Sequence, residues 1–413
     1  MRNVKAVIGA NFGDEGKGKV VNMCSKGWAD LVVRFNSGSQ AAHTVMHEDG
    51  FRHVFGHLGS ASADGVPTYL SKFFVVNPRL FLKELDQLSF RTNGASISTV
   101  FVDKDCIVTT PYDVIINQAL EMSRKNNRHG SCGVGFHETI VRNAIAIAEL
   151  ALTVSDIVSM DRNTLVQKLI LIRDVYIKPR LSTLNIPVPK QMLDVINSDT
   201  AVSTIVDEMY MFINSVVVVN AFSVLNRFDN VVFEGAQGLL LDENHKWFPY
   251  VTHSTTGIQN VLSILNTYGV DAHTPIDRPV DSLEATYVTR SYMTRHGAGP
   301  FPTEVVGELP GFEVVDETNR PNEFQGSLRV GYLDYDLLTT TVSNDINLIG
   351  YDIGVTTTLH MTCMDQVTHK DTYHFTSGHV NDVPSLFTVP LSAVPKMFDS
   401  LFDEVVFSSS PFS

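Results

Sequence analysis

Cysteine is scarce in this chain: four residues, at positions 24, 106, 132 and 363, with no Cys-x-x-Cys pair. That excludes a disulfide framework and a thiolate zinc site, and it points to reduced thiols. Basic residues are also in short supply, with 31 Lys and Arg against 45 Asp and Glu and a formal net charge of -14. A nucleic-acid or anionic-membrane binder carries a basic surface, so neither nucleic acid nor membrane is an expected partner. Long apolar runs are missing too. The stretch Phe212 to Leu225 is interrupted by Asn214, Ser215, Asn220 and Ser223, which makes it a core segment too short to span a bilayer. The chain opens on a strand-like run with no signal-peptide apolar region, and a cytoplasmic location is expected.

What is present begins at Val4. Val4 to Ile8 reads as a buried strand, followed by a turn carrying Gly9, Gly13, Gly16 and Gly18 and then by a helix. Glycines let the backbone approach an anion, the helix start aims free N–H groups at it, and Lys17 and Lys19 neutralise it. Gly13 to Lys19 fits G-x-x-x-x-G-K, but Val20 stands where a P-loop carries its Mg²⁺-holding hydroxyl. A metal there needs another hard oxygen, and Asp14 or Glu15 offers one. With 413 residues and 44% hydrophobic content, the chain is long enough for a large α/β core.

Further along, Leu31 to Phe35 reads as a second strand and Asn36 to Thr44 as its exit loop, so both loops face one cleft. Asn77 to Leu85 reads as a helix with Leu80, Leu82 and Leu85 on its buried face. His129 to Glu138 is a second glycine-rich loop, and residues 143–230 are mostly helical with breaks at Pro179 and Pro187-Val-Pro189. Asn230 to Asp242 is strand then glycine turn, in which the Gln237 amide can both donate and accept. Thr294 to Glu304 has the Gly and Pro density of one rigid wall and supplies the cation Arg295.

Four segments (Gly13-Asp-Glu-Gly-Lys-Gly-Lys19, Asn36 to Thr44, Glu234-Gly-Ala-Gln-Gly-Leu-Leu-Leu-Asp242 and Thr294 to Glu304) stand in the order of the adenylosuccinate synthetase family, which the chain resembles from Val4 to its C-terminus. The resemblance implies an α/β fold with a mostly parallel central sheet flanked by helices. It implies one P-loop-like synthetase domain over residues 1–413 with helical and loop insertions, residues 143–230 being the helical one. It further implies a Mg²⁺-dependent homodimeric ligase of purine biosynthesis, which makes N6-succinyl-AMP from IMP, L-aspartate and a nucleoside triphosphate, usually GTP, through a 6-phosphoryl intermediate.

Roles follow by position. Asp14 takes the base N1 proton, Lys17 and His43 stabilise the transferring phosphoryl group, and Gln237 bonds the purine 6-oxygen. Gly13, Glu15, Gly16, Gly18, Lys19 and Thr44 hold the triphosphate, and Ser409 and Ser410 touch its base. Gln40, Ser131 with Gly133 and Gly135, Leu241 and Thr252 hold the monophosphate, with Arg142 reaching its phosphate across the dimer. Arg295, Ser327 and Arg329 bind aspartate. Asp14 and the Ala42 carbonyl hold Mg²⁺, the latter provided its backbone needs no positive φ.

The chain also departs from the family. Ser39, Gln40 and Ala42 replace His, Asn and Gly, and the aspartate loop from Asn322 to Asp334 keeps only Arg329. Within Thr358 to Asp365, His360 and Thr362 fall at the Lys and Asp positions of the Thr-Lys-Leu-Asp run that reads guanine. A hydroxyl cannot accept two N–H bonds, so weaker guanine selection is expected, with ATP or dATP as donor. Those departures leave open dIMP in place of IMP, a viral-type relative that aminates dGMP, and a catalytically dead nucleotide-binding regulator. Asp14 favours IMP or dIMP over dGMP. Asp14, Lys17, His43 and Gln237 together argue against a dead site.

Overall fold

The computed structural model describes residues 2–92, 97–124, 130–266, 280–316, 326–350, 354–369, 371–380 and 383–412. Among the described residues nine strands make the main sheet: β1 (Arg2–Gly9), β2 (Leu31–Arg34), β3 (Thr68–Leu70), β4 (Val100–Asp103), β5 (Val217–Val219), β6 (Asn230–Glu234), β7 (Val280–Arg290), β8 (Gly354–Thr362) and β9 (Glu404–Phe407). Their order across the sheet is β9-β8-β7-β1-β6-β2-β3-β4-β5, and every pairing is parallel.

A parallel sheet is covered on both faces, so its strands read as apolar runs without alternation. Val4, Ala6, Val7 and Ile8 in β1 are all buried, as are Leu31, Val32 and Val33 in β2 and Val231, Val232 and Phe233 in β6. β1 lies where the strand order turns, with β6 on one side and β7 on the other. Because all nine strands point the same way, the loops leaving them share one edge. The crevice outside such a switch point is where open α/β sheets bind ligands.

Around this frame sit an antiparallel hairpin (His43–Met46 with Arg52–Phe55) and a second one (Thr372–Val380 with Val383–Pro390). Within residues 143–230 the described elements are helical except for β5, which closes the sheet's far edge. The apolar stretch from Phe212 therefore ends a helix, crosses into an edge strand and enters a short helix. Pro179 does not break the chain there: the helical run passes from Arg162 through the π-turn Ile172–Ile177 into Lys178–Leu184. The helix Pro78–Arg91, capped by Asn77, buries Phe81, Glu84 and Leu88, a face shifted from Leu80, Leu82 and Leu85. Glu84 wins its burial by accepting the backbone N–H groups of Gly56, His57 and Leu58. Among the described residues no helix is long and apolar enough to cross a membrane.

Candidate active site

The chain leaving β1 turns at Gly16, whose φ of 90° a side chain would strain, and enters α1 (Lys17–Ser25). Glu15 is folded back under the turn, accepting the Asn11 N–H at 2.5 Å and pairing with Lys17 at 3.0 Å. Burial raises the Glu15 carboxyl, and Lys17 works against that rise. The pair fixes where the lysine head sits. Gly18 lies under the loop from β2: a Cβ there would stand 2.8 Å from the His43 Cβ. The glycine thus serves the packing of α1 against His43.

Asp14 has a φ of 58° and holds its carboxylate on His296, Oδ2 to Nδ1 at 2.8 Å. Arg290, at the end of β7, donates to the Asp14 carbonyl and pairs with Asp316. Burial pushes the Asp14 carboxyl up, but the hydrogen bond and charge of His296, with Arg290 and Lys17, hold it below its ordinary value. It stands ionised at neutral pH.

His43 Nδ1 lies 2.5 Å from Glu234 Oε1, at the carboxyl end of β6, and Ser60 gives Glu234 its N–H and its hydroxyl. Burial lowers the imidazole's affinity for a proton more than Glu234 raises it. At neutral pH Nδ1–H donates to Glu234, and Nε2 is buried with no protein partner. Among the described residues five non-glycines have positive φ, and three of them (Asp14, Gln237 and Cys363) line the same cavity. Such conformations persist only where surroundings enforce them, and they gather at functional sites.

That cavity, of about 1200 Å³, lies at the carboxyl edge of the sheet. Its lining includes Gly13, Asp14, Glu15, Gly16, Lys17, Gly18 and Lys19 from the first loop, and Gln40, Ala42, His43 and Thr44 from the second. Ser131, Gly133, Gln237, Leu241, Thr252, Arg295, Thr362 and Ser410 also line it. Gln40 Oε1, His43 Nε2, Thr44 Oγ1 and Arg295 Nε are buried polar atoms without protein partners. Groups of this kind in one cavity mark a polar ligand. Ser131 Oγ accepts from Asn117, which leaves its own O–H to give. The donor set also suits Mg²⁺: Asp14 and Ala42, which offer a carboxylate and a carbonyl as hard oxygens, line the same cavity, and Ala42 is absent from the positive-φ residues.

Several sequence-based assignments do not survive. Arg142 is fully buried: Nε and Nη2 engage Asp113, and Nη1 and Nη2 reach the Leu150 and Val108 carbonyls. It locks two helices together and does not line the cavity described here. Arg142→Leu is expected to cost about 3–5 kcal/mol in urea unfolding, the penalty for orphaning a buried Asp113.

Arg329 and Ser327 lie outside the cavity. Arg329 is spent on Glu304 and on the Gly297 and Gly299 carbonyls, behind the wall, and Ser327 is exposed. The aspartate-loop positions 322–325 lie outside the described residues. Arg295 reaches the cavity but gives Nη1 and Nη2 to the carbonyls of Pro300, Tyr250 and Ala298. Its guanidinium lies 4.5 Å from the Phe12 ring centroid, and burial, with Arg329 beside it, brings it down to about 10.

At the donor-base end His360 is buried on Ser408 Oγ at 2.7 Å and is off the cavity, and Ser409 does not line it. The Thr362 hydroxyl lines the cavity but donates to the Glu15 carbonyl at 2.7 Å. Asp365 lines the cavity, as do Lys19 and Ser410, and brings a carboxylate to it. Reading Thr362-Cys-Met-Asp365 in register with Thr-Lys-Leu-Asp, without a gap, would have found it.

His296 and Glu234 were also missed, although each stands inside a quoted motif. So was Asn36, whose amide clamps the backbone of Ala236 at 3.1 and 2.8 Å and joins the β2 and β6 exits.

The family model for adenylosuccinate synthetase matches residues 6–391. An adenylosuccinate synthetase of Prochlorococcus marinus (strain MIT 9301) is 32% identical over 319 residues, covering 75% of this chain and 65% of that one. The organellar chromatophore enzyme of Paulinella chromatophora is 33% identical over 325 residues, with the same coverage. The chain thus spans about 65% of the length of the curated relatives it matches. Two solved structures share the fold. Fully ligated adenylosuccinate synthetase from Plasmodium falciparum superposes with a TM-score of 0.69 at 18% identity, over 99% of this chain and 98% of that one. The succinoaminodeoxyadenylate synthetase of cyanophage S-2L, bound to dGMP and to dATP as energy donor, gives 0.61 at 14%, over 100% and 94%.

Proposed function

The chain belongs to the adenylosuccinate synthetase family, and from that premise we propose that it is a ligase joining L-aspartate to C6 of a purine nucleoside monophosphate, IMP or dIMP, at the expense of a nucleoside triphosphate. One observation carries the reading. The ionised Asp14 carboxylate, the Lys17 head and the unpartnered His43 Nε2 all face one cavity. At about 1200 Å³ it exceeds the roughly 300–1,000 Å³ of an ordinary small-molecule pocket, which leaves room for more than one substrate.

In the proposed reaction Asp14 removes the proton from N1 of the base, and the electrons pass to the 6-oxygen, which attacks the γ-phosphorus and displaces the nucleoside diphosphate. Lys17 and the N-terminus of α1 meet the negative charge of the transferring group. An anion beside Nε2 favours a proton there, so His43 binds the group as an imidazolium shared with Glu234. The Gln237 amide donates to the 6-oxygen as charge grows on it. The aspartate amine then displaces phosphate from C6. Mg²⁺, held by Asp14 and the Ala42 carbonyl, would supply further charge neutralisation at the phosphates. A cytoplasmic homodimer is part of the same proposal, by family.

Asp365 supports a guanine donor, since a carboxylate can accept from N1 and N2 together. Asp365→Asn is therefore expected to lower the preference for GTP over ATP, as a ratio of kcat/KM, by about 10- to 100-fold. An unchanged ratio would remove Asp365 from base recognition. The function itself is tested by aspartate-dependent phosphate release. IMP, dIMP, GMP and dGMP are crossed against GTP, ATP and dATP, with products identified by mass. Turnover confined to dGMP would replace the proposed substrate, and nucleotide binding without turnover in every pair would leave a regulator.

A further inference from the structure

The cavity has two cationic ends. One is the first glycine loop, with Lys17 and Lys19. At the other, Gly130, Gly133 and Gly135 turn with φ of 82°, 70° and 82° into the helix Phe136–Ala144, and Arg124 and Arg180 line the wall. Arg142, nearest in sequence to that loop, is sealed in the core. Arg124 pairs with Glu121 at 2.5 Å, and Glu121 in turn accepts the Gly130 N–H. Arg124 is therefore tied to the loop's own base.

Arg180 is placed differently. It follows a π-helical turn, Ile172–Ile177, at the start of the helix Lys178–Leu184. Turns of this kind re-aim the residues that follow and recur at functional sites. Here Arg180 and Leu184, four residues apart, both line the cavity, while Leu181 packs into the core. Arg180 Nε and Nη2 each stand 3.3 Å from an oxygen of Glu138, longer than the roughly 2.7–2.9 Å of a tight charged pair. Nη1 has no hydrogen-bond partner among the described residues, and the side chain is 31% exposed where Glu138 is 1% exposed. Glu138 thus holds the guanidinium from behind and leaves its outer edge facing the cavity. Ser131, whose O–H is free to donate, lines the same cavity.

We infer that Arg180 is the cation that holds the phosphate of the monophosphate substrate, and that it is supplied by the same chain that supplies Asp14 and His43. The identity of the ligand rests on the ligase reading. The arrangement places a cation of the same chain on that wall, where Arg142 was expected to reach across from a partner.

The test compares IMP with inosine by calorimetry in the wild type, in Arg180→Gln and in the double variant Arg180→Gln with Glu138→Gln, which leaves no carboxylate orphaned. IMP affinity is expected to fall about 10- to 100-fold in both variants, the range of a charge-assisted hydrogen bond, with inosine and GTP affinity unchanged. An IMP-to-inosine ratio equal to that of the wild type would overturn the assignment. Mixing Arg180→Gln with Asp14→Asn chains is expected to restore no turnover. Restoration would mean that the arginine serves a neighbouring chain. A changed ratio in an enzyme that never releases phosphate with aspartate would sink the ligase reading and leave Arg180 in place.

Discussion

Asp14→Asn is expected to lower aspartate-dependent phosphate release by about 10³- to 10⁴-fold while the protein stays folded and keeps its nucleotide affinity within a few-fold. The isolation of effect comes from the backbone. Position 14 sits at φ 58°, a region that asparagine tolerates better than other side chains, so the loop keeps its shape. The oxygen of the substituted amide can still accept from His296, and the Arg290 bond goes to the main-chain carbonyl, which the substitution does not touch. What disappears is the lone pair that takes the proton. The pH profile adds a second check. His296, Arg290 and Lys17 hold the wild-type carboxyl below its ordinary 3.8 in spite of burial, so the base is already ionised across the neutral range. Turnover should stay level on the acid side of neutrality until that range is reached. A variant within tenfold of the wild type, measured as kcat, would remove Asp14 as the base.

Much of this site was legible because its parts are local. A strand, a glycine turn and a helix start within 18 residues of Val4 can be read in order, and the parallel sheet places that turn at the common edge. What the chain order hides is which charges are already spent. Arg142 looks available until Asp113 is seen against it, 29 positions away, and Arg295 and Arg329 until the carbonyls of the loop 297–300 are counted. Asp14 meets His296 across 282 positions, and His43 meets Glu234 across 191. No local pattern encodes those meetings; the pairing of β1 with β7 and of β2 with β6 creates them. The donor-base error was of another kind. Within Thr358 to Asp365, placing Thr362 at the carboxylate position starts the register at Leu359; starting it at Thr362 puts Asp365 there, a carboxylate that lines the cavity. Arg180 escaped because residues 143–230 carry no motif at all. Its position depends on a π-turn, and neither composition nor period announces one.

Glu234→Gln should be nearly as damaging as the loss of Asp14, and for a reason that reaches into stability. The carboxylate receives three donors, the His43 Nδ1–H, the Ser60 N–H and the Ser60 hydroxyl, on two oxygens that are fully buried. An amide of the same shape offers one acceptor oxygen and an NH₂ that must face a donor. Either His43 turns its tautomer, moving the proton to Nε2 without the charge that Glu234 supports, or Ser60 is left unpaired. Phosphate release should fall at least about 100-fold, the scale for losing a preorganised electrostatic contact to a transferring group. Burial raises the Glu234 carboxyl, yet Arg34, His43 and Ser60 together bring it from 4.5 to about 2. A carboxyl depressed this far contributes about 3 kcal/mol to folding. The contribution is complete above about pH 4.5 and is lost as the pH falls through about 2, because the unfolded chain then binds the proton first. Urea unfolding of wild type and variant should therefore show a gap that is constant at neutral pH and closes between those limits. A gap that does not change with pH would mean that Glu234 acts by shape alone, and that the charge holding His43 comes from elsewhere.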